Sequence, residues 1–558
     1  MINKLTIIGI GFLFWALPNS AQEVKKTKEI EKVIDKVIDR AYNTTVQIAR
    51  FDTVSKKALP GIFSGTVVTK EGHILTAAHA TQPDMWYEIM FPNGDRYMAK
   101  GYGRISIGGF SARGNSTSLD AAMLKITGSG TWNFAEMGES STMKVGELCV
   151  SIASPATFKN GKPNIRLGRL TKVNFQSGFI ESTCKMEPGD SGGALFNSEG
   201  KLIGVHSYIN GGEEVNLEVP VYYFKKYWSA LNIAKDYKSL PDSNKLEQEV
   251  KSSNVVTILP IQELTKLTKK ALESAVTVSS LVGDKASSIV GTLITYAKLS
   301  KTKTYVVSKS SMVGVEPKVM LDAVDRPAAV IARDIENDLV LLEVDAATSS
   351  NSVKINLGTD TLAMQFANLG DLVISAKGKG QQYISVLSTN FIDVPRGIGY
   401  FGAGANFIDK KITITSIMPR GSADGILMLK DVITGINGHP ISQPQEYGEQ
   451  VNKYFAGDTI TVELLRDGKE MQVKFYYIPF RMNHIAERFA GGHSTKSDGY
   501  KKVLVHDGAI RADECGSPVF NGKGEFYGIN IARVSRTSTL MLPYDMIRSF
   551  LDKSMRSI

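Results

Sequence analysis

The chain has 558 residues, of which 42% are hydrophobic and 22% charged, and its formal net charge is +9. This length is enough for about three domains. Because the basic residues are scattered, with no basic run interleaved with aromatic residues, the composition indicates a soluble multidomain protein and gives no indication of nucleic-acid binding.

The N-terminus has the pattern of a secretory signal peptide. Lys4 precedes an apolar run over residues 5–17, and Pro18 to Ala21 follow. This pattern predicts a signal peptide over residues 1–21, with cleavage after Ala21. An uncleaved anchor is the alternative, although the run is short for a membrane span. We therefore expect a periplasmic or secreted protein with no stable membrane insertion after cleavage.

Three short motifs carry the strongest chemical signal. His79 lies in the segment 76–80, Asp120 lies just before an apolar run, and Ser191 is the centre of Gly-Asp-Ser-Gly-Gly at 189–193. A serine hydroxyl needs a base to take its proton, and that base needs a carboxylate to orient it. The glycines allow a sharp turn, so that the amides of Gly189 and Ser191 can face a developing oxyanion.

With these motifs, residues 30–232 resemble trypsin-like serine proteases of the bacterial HtrA type. The resemblance implies two six-stranded β-barrels with a catalytic triad between them. His79 and Asp120 would lie on the first barrel and Ser191 on the second. We predict this protease domain over residues 22–235. The alternative is a protease fold that has lost its activity.

The resemblance also implies a specificity pocket formed by Lys185, His206 and Ile209. Ile209 suggests a shallow pocket for small aliphatic side chains, whereas Lys185 and His206 suggest an acidic side chain. A structural role for His206 is the alternative. In secreted trypsins the residue equivalent to Asp190 pairs with a newly cut N-terminal amine. Here Lys185 could neutralise Asp190, and the alternative is a site that is only conditionally ordered.

Three cysteines, Cys149, Cys184 and Cys515, allow at most one disulfide within a monomer. A bond between Cys149 and Cys184 is one reading, and buried free thiols are the other.

An internal repeat follows a predicted linker over residues 236–262. Residues 518–529 match residues 194–205 position by position, which predicts a second trypsin-like unit over 263–395 and 482–558. Its site is degenerate, with Ser311, Asp338 and Cys515 in the positions of the triad. Residues 263–395 contain no histidine, so we predict an inert pseudo-protease. A cysteine protease using His484, His493 or His506 is the alternative.

The second unit is interrupted by about one hundred extra residues, enough for a small domain. Gly399 to Ala403 resembles the carboxylate-binding loop of PDZ domains, and residues 458–469 have the pattern of a closing hairpin. We predict a PDZ domain over 396–481 that binds C-terminal peptides through Tyr400, Phe401 and Gly402, beside a helix over 447–454. A PDZ fold used only for packing, or a blocked one, is the alternative.

Together these patterns predict a mainly β protein with two double-barrel units and a PDZ domain inserted in the second. The predicted function is a serine endopeptidase acting on unfolded or tagged proteins, with protein or peptide substrates. The other reading is a silent, chaperone-like scaffold. No cofactor motif and no cluster of metal ligands is present in the sequence.

Overall fold

The structure is a computed structural model that describes residues 19–108, 118–139, 142–158, 161–173, 178–209, 215–245, 266–283, 285–356, 367–397, 399–419, 421–479 and 491–556. The predicted signal peptide lies largely outside these residues. Helix α1 (Asn19–Ala41) begins before the expected cleavage site. No helix in the described ranges is long and apolar enough to cross a bilayer.

The first unit contains two barrels. In the first barrel, the strand order is β5-β4-β1-β2-β3-β6, and pairing of β5 with β6 closes it. Its strands are β1 (Thr45–Asp52), β2 (Lys57–Val67), β3 (His73–Thr76), β4 (Trp86–Met90), β5 (Arg96–Ile107) and β6 (Leu119–Ile126). The second barrel is closed by β7 (Leu148–Ala153), β8 (Asn164–Lys172), β9 (Ile180–Ser182), β10 (Ala194–Asn197), β11 (Leu202–Ile209) and β12 (Asn216–Pro220).

Short helices α2 (Val221–Lys226) and α3 (Trp228–Leu231) end the first unit. The predicted linker then begins with a short strand, β13 (Asp236–Tyr237), which pairs in parallel with β5. The first two residues of that linker are therefore part of the first unit's sheet.

The second unit repeats this plan. Helix α4 (Lys269–Glu273) precedes a barrel of β14 (Ala275–Val282), β15 (Lys285–Tyr296), β16 (Thr304–Lys309), β17 (Val315–Leu321), β18 (Val324–Asp334) and β19 (Leu339–Val344), with β20 (Val353–Ile355) parallel to β15. Its other barrel is closed by β21 (Leu372–Gly378), β22 (Gln381–Val394), β31 (Tyr500–His506), β32 (Pro518–Asn521), β33 (Phe526–Ser535) and β34 (Ser538–Pro543), and α6 (Tyr544–Ser554) follows.

A separate small domain is inserted between β22 and β31, which pair with each other across the insertion. Its strands are β23 (Gly399–Tyr400), β24 (Ala403–Ile408), β25 (Lys411–Ile417), β26 (Val432–Ile436), β27 (His439–Pro440), β28 (Thr459–Arg466), β29 (Lys469–Tyr476) and β30 (Ile478–Pro479), with helix α5 (Pro444–Val451). Pro444 begins α5 three residues earlier than predicted, because proline suits the first helical position. The predicted mainly β fold with this insertion is confirmed.

Four apolar clusters fill the barrels, one to each, and a fifth belongs to the inserted domain. A larger cluster joins the parts, because it includes residues from α1 and from both units. Strand β7 is buried on both faces as a result. All six of its residues are buried, since one face lines its own barrel and the other contributes to the shared cluster.

Helix α1 lies across both units. Ile34 and Val37 are fully buried in the shared cluster, and Arg40 donates from Nη1 to the carbonyl of Glu199 in the first unit, at 2.7 Å. On the side of the second unit, Ile34 packs closely on Gly370. A Cβ added to Gly370 would lie only 2.6 Å from Cγ2 of Ile34. The helix therefore stabilises the pairing of the units.

We expect Ile34→Ala to lower the free energy of unfolding by about 2–5 kcal/mol, since it opens a cavity in the shared cluster. Urea unfolding followed by tryptophan fluorescence measures this. Lys36→Ala on the exposed face of α1 is the control, with an effect within about 0.5 kcal/mol. Equal effects of the two substitutions would show that α1 does not stabilise the fold.

Candidate active site

His79, Asp120 and Ser191 lie together in the cleft of the first unit. His79 is in a short 3-10 helix, Ala78–Ala80, that follows β3, and Asp120 is at the start of β6. The Nε2 atom of His79 is 2.9 Å from Ser191 Oγ, and its Nδ1 is 2.7 Å from Asp120 Oδ2. This is the hydrogen-bonded chain that a serine nucleophile needs.

The carboxylate of Asp120 is held by more than the imidazole. Its Oδ1 accepts from the amide of His79 at 2.8 Å, and its Oδ2 also accepts from Ser207 Oγ at 2.5 Å. Burial alone would raise the pKa of Asp120, but hydrogen bonds from His79 and Ser207 outweigh it and the net pKa is lowered. Asp120 therefore stays ionised while it orients His79.

The loop that carries Ser191 is shaped by its glycines. Gly189 and Gly192 have φ of +101° and +86°, and a Cβ at either position would collide with nearby backbone. Ser64 of β2 donates from its amide to the carbonyl of Ser191 and from Oγ to that of Gly189, each at 2.8 Å. The first barrel therefore holds the loop of the second.

Two amides in this loop are available to a ligand. The amides of Asp190, Gly192 and Gly193 each donate to a backbone carbonyl. Those of Gly189 and Ser191 donate to no acceptor within the part of the chain that the structure describes. These are the two amides that the sequence predicts for oxyanion binding.

Asp190 pairs with Arg166, a residue that the sequence did not indicate, whereas Lys185 was the candidate that the sequence offered. The guanidinium of Arg166 makes two hydrogen bonds to Asp190, at 2.7 and 3.1 Å, and both side chains are 1% exposed. Burial raises the pKa of Asp190 to about 6 against the opposing charge of Arg166. Sequence reasoning missed Arg166 because it lies in β8, 24 residues before Asp190 and outside the motif of Ser191. Arg169 and Lys172 are in the same strand, so nothing in the sequence singled out Arg166.

The three predicted pocket residues have different surroundings. His206 is fully buried on β11, where its Nε2 is 2.6 Å from Ser151 Oγ and its Nδ1 is 3.5 Å from Glu218 Oε1. Burial lowers the pKa of His206 to about 3, and the charge of Arg166 adds to this. That position favours the structural alternative for His206. Lys185 is 9% exposed and Ile209 is half-buried at the end of β11.

The degenerate site keeps the backbone framework of the first. The amide of Ser311 donates to Asp338 Oδ1 at 2.6 Å, as that of His79 does to Asp120. The amide of Gly516 donates to the carbonyl of Asn530 at 2.7 Å, as that of Gly192 does to His206 at 2.8 Å. The positions aligned from the sequence therefore occupy equivalent places in the two units.

Lys309 fills the space beside Asp338. Its ammonium is fully buried and donates to Asp338 Oδ2 at 2.6 Å and to the carbonyls of Lys496 and Ile531 at 2.9 and 2.8 Å. Asp338 Oδ2 also accepts from Ser311 Oγ and from the hydroxyl of Tyr500. A buried charge with this many partners is a structural ion pair.

Cys515 is placed unfavourably for a nucleophile. It is fully buried and packs in the apolar cluster of the adjacent barrel, and burial raises the pKa of its thiol. His506 is also buried and bonds to Ser385 and Asn530. His493 contacts Ser497, and His484 lies outside the described residues.

In the inserted domain, the predicted peptide-binding residues lie at the end of β23 and in the loop before β24. Phe401 is buried in that domain's core, whereas Gly402 has φ of +78° and approaches Gly421 closely. The carbonyls of Tyr400 and Gly402 accept from Ser422 and Met418. Strand β24 is at the edge of its sheet, and the Tyr447 hydroxyl of α5 donates to the carbonyl of Ala403 at 2.7 Å.

Comparisons with known proteins agree with this architecture. Residues 63–205 match the family described as trypsin-like peptidase domain, and residues 399–475 match the PDZ domain family. A probable periplasmic serine endoprotease DegP-like of Pseudomonas savastanoi is 32% identical over 149 residues, which are 26% of this chain and 29% of that protein. Human serine protease HTRA4 is 28% identical over 151 residues, also 26% of this chain and 29% of that protein.

These two alignments span less than a third of each relative's own length. A solved serine endoprotease of Yersinia pestis is 15% identical, with coverage of 79% of this chain and 96% of that chain, but its TM-score is 0.29. The two domain families and the DegP-like relatives support an HtrA-type serine protease, so the predicted resemblance is confirmed. Among the described residues there is no group of side chains that could hold a metal ion.

We expect none of the three cysteines to react with a thiol reagent in the native protein. All are buried, and Cys149 and Cys184 are free with their sulfurs 3.9 Å apart. Titration with a chromogenic disulfide reagent should give no thiols in buffer and three in guanidinium. Rapid labelling of Cys515 in the native state would contradict its buried placement, and one thiol in guanidinium would reveal a disulfide between the other two.

Proposed function

We propose that this protein is a serine endopeptidase in which Ser191 is the nucleophile, His79 the general base and Asp120 the orienting carboxylate. The observation that carries the proposal is the continuous hydrogen-bonded chain from Ser191 Oγ through His79 to Asp120, at 2.9 and 2.7 Å. Relatives described as serine endoproteases support it.

The geometry suits acyl transfer. His79 Nε2 takes the proton as Ser191 Oγ attacks a peptide carbonyl, and later gives that proton to the leaving amine. Asp120 keeps Nδ1 protonated and stabilises the imidazolium. The amides of Gly189 and Ser191 stabilise the tetrahedral oxyanion, which accepts hydrogen bonds from them. Water then releases the acyl group by the same steps.

The substrates would be proteins or peptides in the periplasm or outside the cell. Lys185 and Ile209 are the pocket residues that we propose to contact the substrate, because His206 is enclosed between Ser151 and Glu218. A half-buried isoleucine at the end of β11 suits a small side chain, as the sequence suggests for a shallow pocket.

The second unit is proposed to be a pseudo-protease. Ser311 cannot act as a base, and the buried Lys309 holds Asp338 in a structural pair. Cys515 is buried away from solvent with a raised pKa, which disfavours the thiolate. This unit would serve the first as scaffold or regulator.

The inserted domain is proposed to bind the C-terminus of a peptide. Strand β24 is an edge strand onto which an extended peptide can add. The amides of Phe401 and Gly402 donate to no acceptor in the described parts of the chain, so they are available to a carboxylate. Tyr447 on α5 flanks the groove. The hydrogen bond from the Tyr447 hydroxyl to the carbonyl of Ala403 would limit how deeply the peptide can sit at the start of β24.

We expect Ser191→Ala to abolish fluorophosphonate labelling and to lower casein cleavage by about 10⁴-fold or more, since the nucleophile is lost. The matched controls are Ser311→Ala and Cys515→Ala at the equivalent degenerate positions, which should keep wild-type rates. Labelling that survives Ser191→Ala but disappears in Cys515→Ala would place the nucleophile in the second unit. No labelling of the wild type would favour a scaffold.

We expect a peptide with a free C-terminus to bind more tightly than its amidated form, by about tenfold, since the loop amides lose a charged acceptor. Fluorescence anisotropy measures this. Gly402→Ala should abolish the difference, because its Cβ would lie 2.7 Å from Gly421. Gly438→Ala, which has a similar positive φ but open space around it, should retain it. Equal binding of both peptides would favour a domain used only for packing.

A further inference from the structure

The second unit contacts the first at strand β8. This strand carries Arg166, the buried partner of Asp190 in the loop 189–193. Asp507, which follows β31, accepts at Oδ2 from the amide of Leu167 in β8, at 3.1 Å. Its Oδ1 accepts from the amide of Val386 in β22, at 2.8 Å. One carboxylate therefore joins a strand of each unit.

The residue beside this contact is Arg166. Its side chain points into the protein and makes its two described hydrogen bonds to Asp190. The Nε of Arg166 is buried and has no partner within the described residues. The position of the guanidinium therefore depends on where β8 lies, and on the charges of Glu187 and Asp507, which act on it in addition to Asp190.

Asp190 in turn fixes the reactive loop. It lies between Gly189 and Ser191, the two residues whose amides would bind the oxyanion. Its Oδ2 accepts from the amide of Glu187 at 2.7 Å, and its carbonyl accepts from the amide of Gly193 at 2.8 Å. Loss of the ion pair would leave a buried carboxylate uncompensated at the centre of this turn.

Other contacts between the units reach strand β8 through hydrogen bonds between uncharged groups. Ser388 of β22 donates from Oγ to the carbonyl of Ile165 at 2.7 Å, and Asn164 donates to Ser538 Oγ at 3.4 Å. These neutral bonds lie beside the charged contact. They allow the effect of docking in general to be separated from the effect of Asp507.

We propose that the second unit is a built-in activator of the first, which holds β8 through Asp507 so that Arg166 stays paired with Asp190 and the loop 189–193 keeps its reactive shape. In this role Asp507 and Arg166 are positioning residues, since neither touches the reacting atoms. The inference rests on the proposed function. In it, Arg166 takes the place that a bound amine has in secreted trypsins, and the second unit keeps Arg166 in that place.

The test uses the full chain with Asp507→Asn, whose side chain can accept from one of the two amides but not from both. The control is Ser388→Ala, which removes a neutral bond to the same strand. Each protein is assayed for the rate of fluorophosphonate labelling, for kcat and KM on a small peptide ester, and for hydrogen exchange over residues 187–193.

We expect Asp507→Asn to lower kcat and the labelling rate by about tenfold or more, with KM within about twofold and faster exchange in the loop. Ser388→Ala should match the wild type within about twofold in every measure. Arg166→Lys, which keeps the charge but loses the two-pronged pair, should resemble Asp507→Asn. It gives a second test if Asp507→Asn folds poorly.

The failures of the two proposals are distinguishable. A wild type that neither labels nor cleaves overturns the proposed function and this inference with it. A wild type that labels at Ser191, with equal kcat and equal loop exchange in folded Asp507→Asn or in Arg166→Lys, overturns the inference alone. An equal loss of kcat in Ser388→Ala also overturns it, because docking would then matter in general and Asp507 would have no special part.

Discussion

The buried pair of Arg166 and Asp190 is the interaction on which the rest of this structure depends. Moving two charges out of water is costly, and the attraction between them compensates only where their geometry is good and the surroundings exclude water. Here the geometry is two-pronged, both side chains are 1% exposed, and the charges of Glu187 and of the distant Asp507 also act on Arg166. The folding of several distant segments is therefore linked to the shape of one catalytic loop.

That His79, Asp120 and Ser191 lie together could be predicted from sequence, because each of them lies in its own short motif. Glycines, a strand end and a loop entering a strand are local features, and local features are what a single sequence shows. The fold class followed for the same reason, since a repeat matched at positions 194–205 and 518–529 duplicates whatever fold the first copy has. The inserted domain was identified by a glycine-containing loop and a hairpin of its own.

The partners of those motifs could not be predicted in the same way. Arg166 pairs with a residue 24 positions away, and Asp507 contacts a residue 340 positions away. Neither spacing follows from a local period. Lys309 stands two positions before Ser311, where the first unit has Ala77 before His79, so no motif of the first unit indicated its role. The fold places it beside Asp338 and Tyr500. Long-range electrostatic partners are set by topology.

The surroundings of Asp338 also restrict what this copy can become. Its Oδ2 already accepts from an ammonium, a serine hydroxyl and a phenol. A histidine regained at position 311 would remove the serine hydroxyl, but Oδ2 would still accept from the ammonium of Lys309 and the phenol of Tyr500. The charge of that ammonium also opposes an imidazolium beside it. Restoring a working base would require the removal of Lys309 as well, and that step by itself leaves a buried anion. The proposed loss of chemistry in the second copy is thus hard to reverse one substitution at a time.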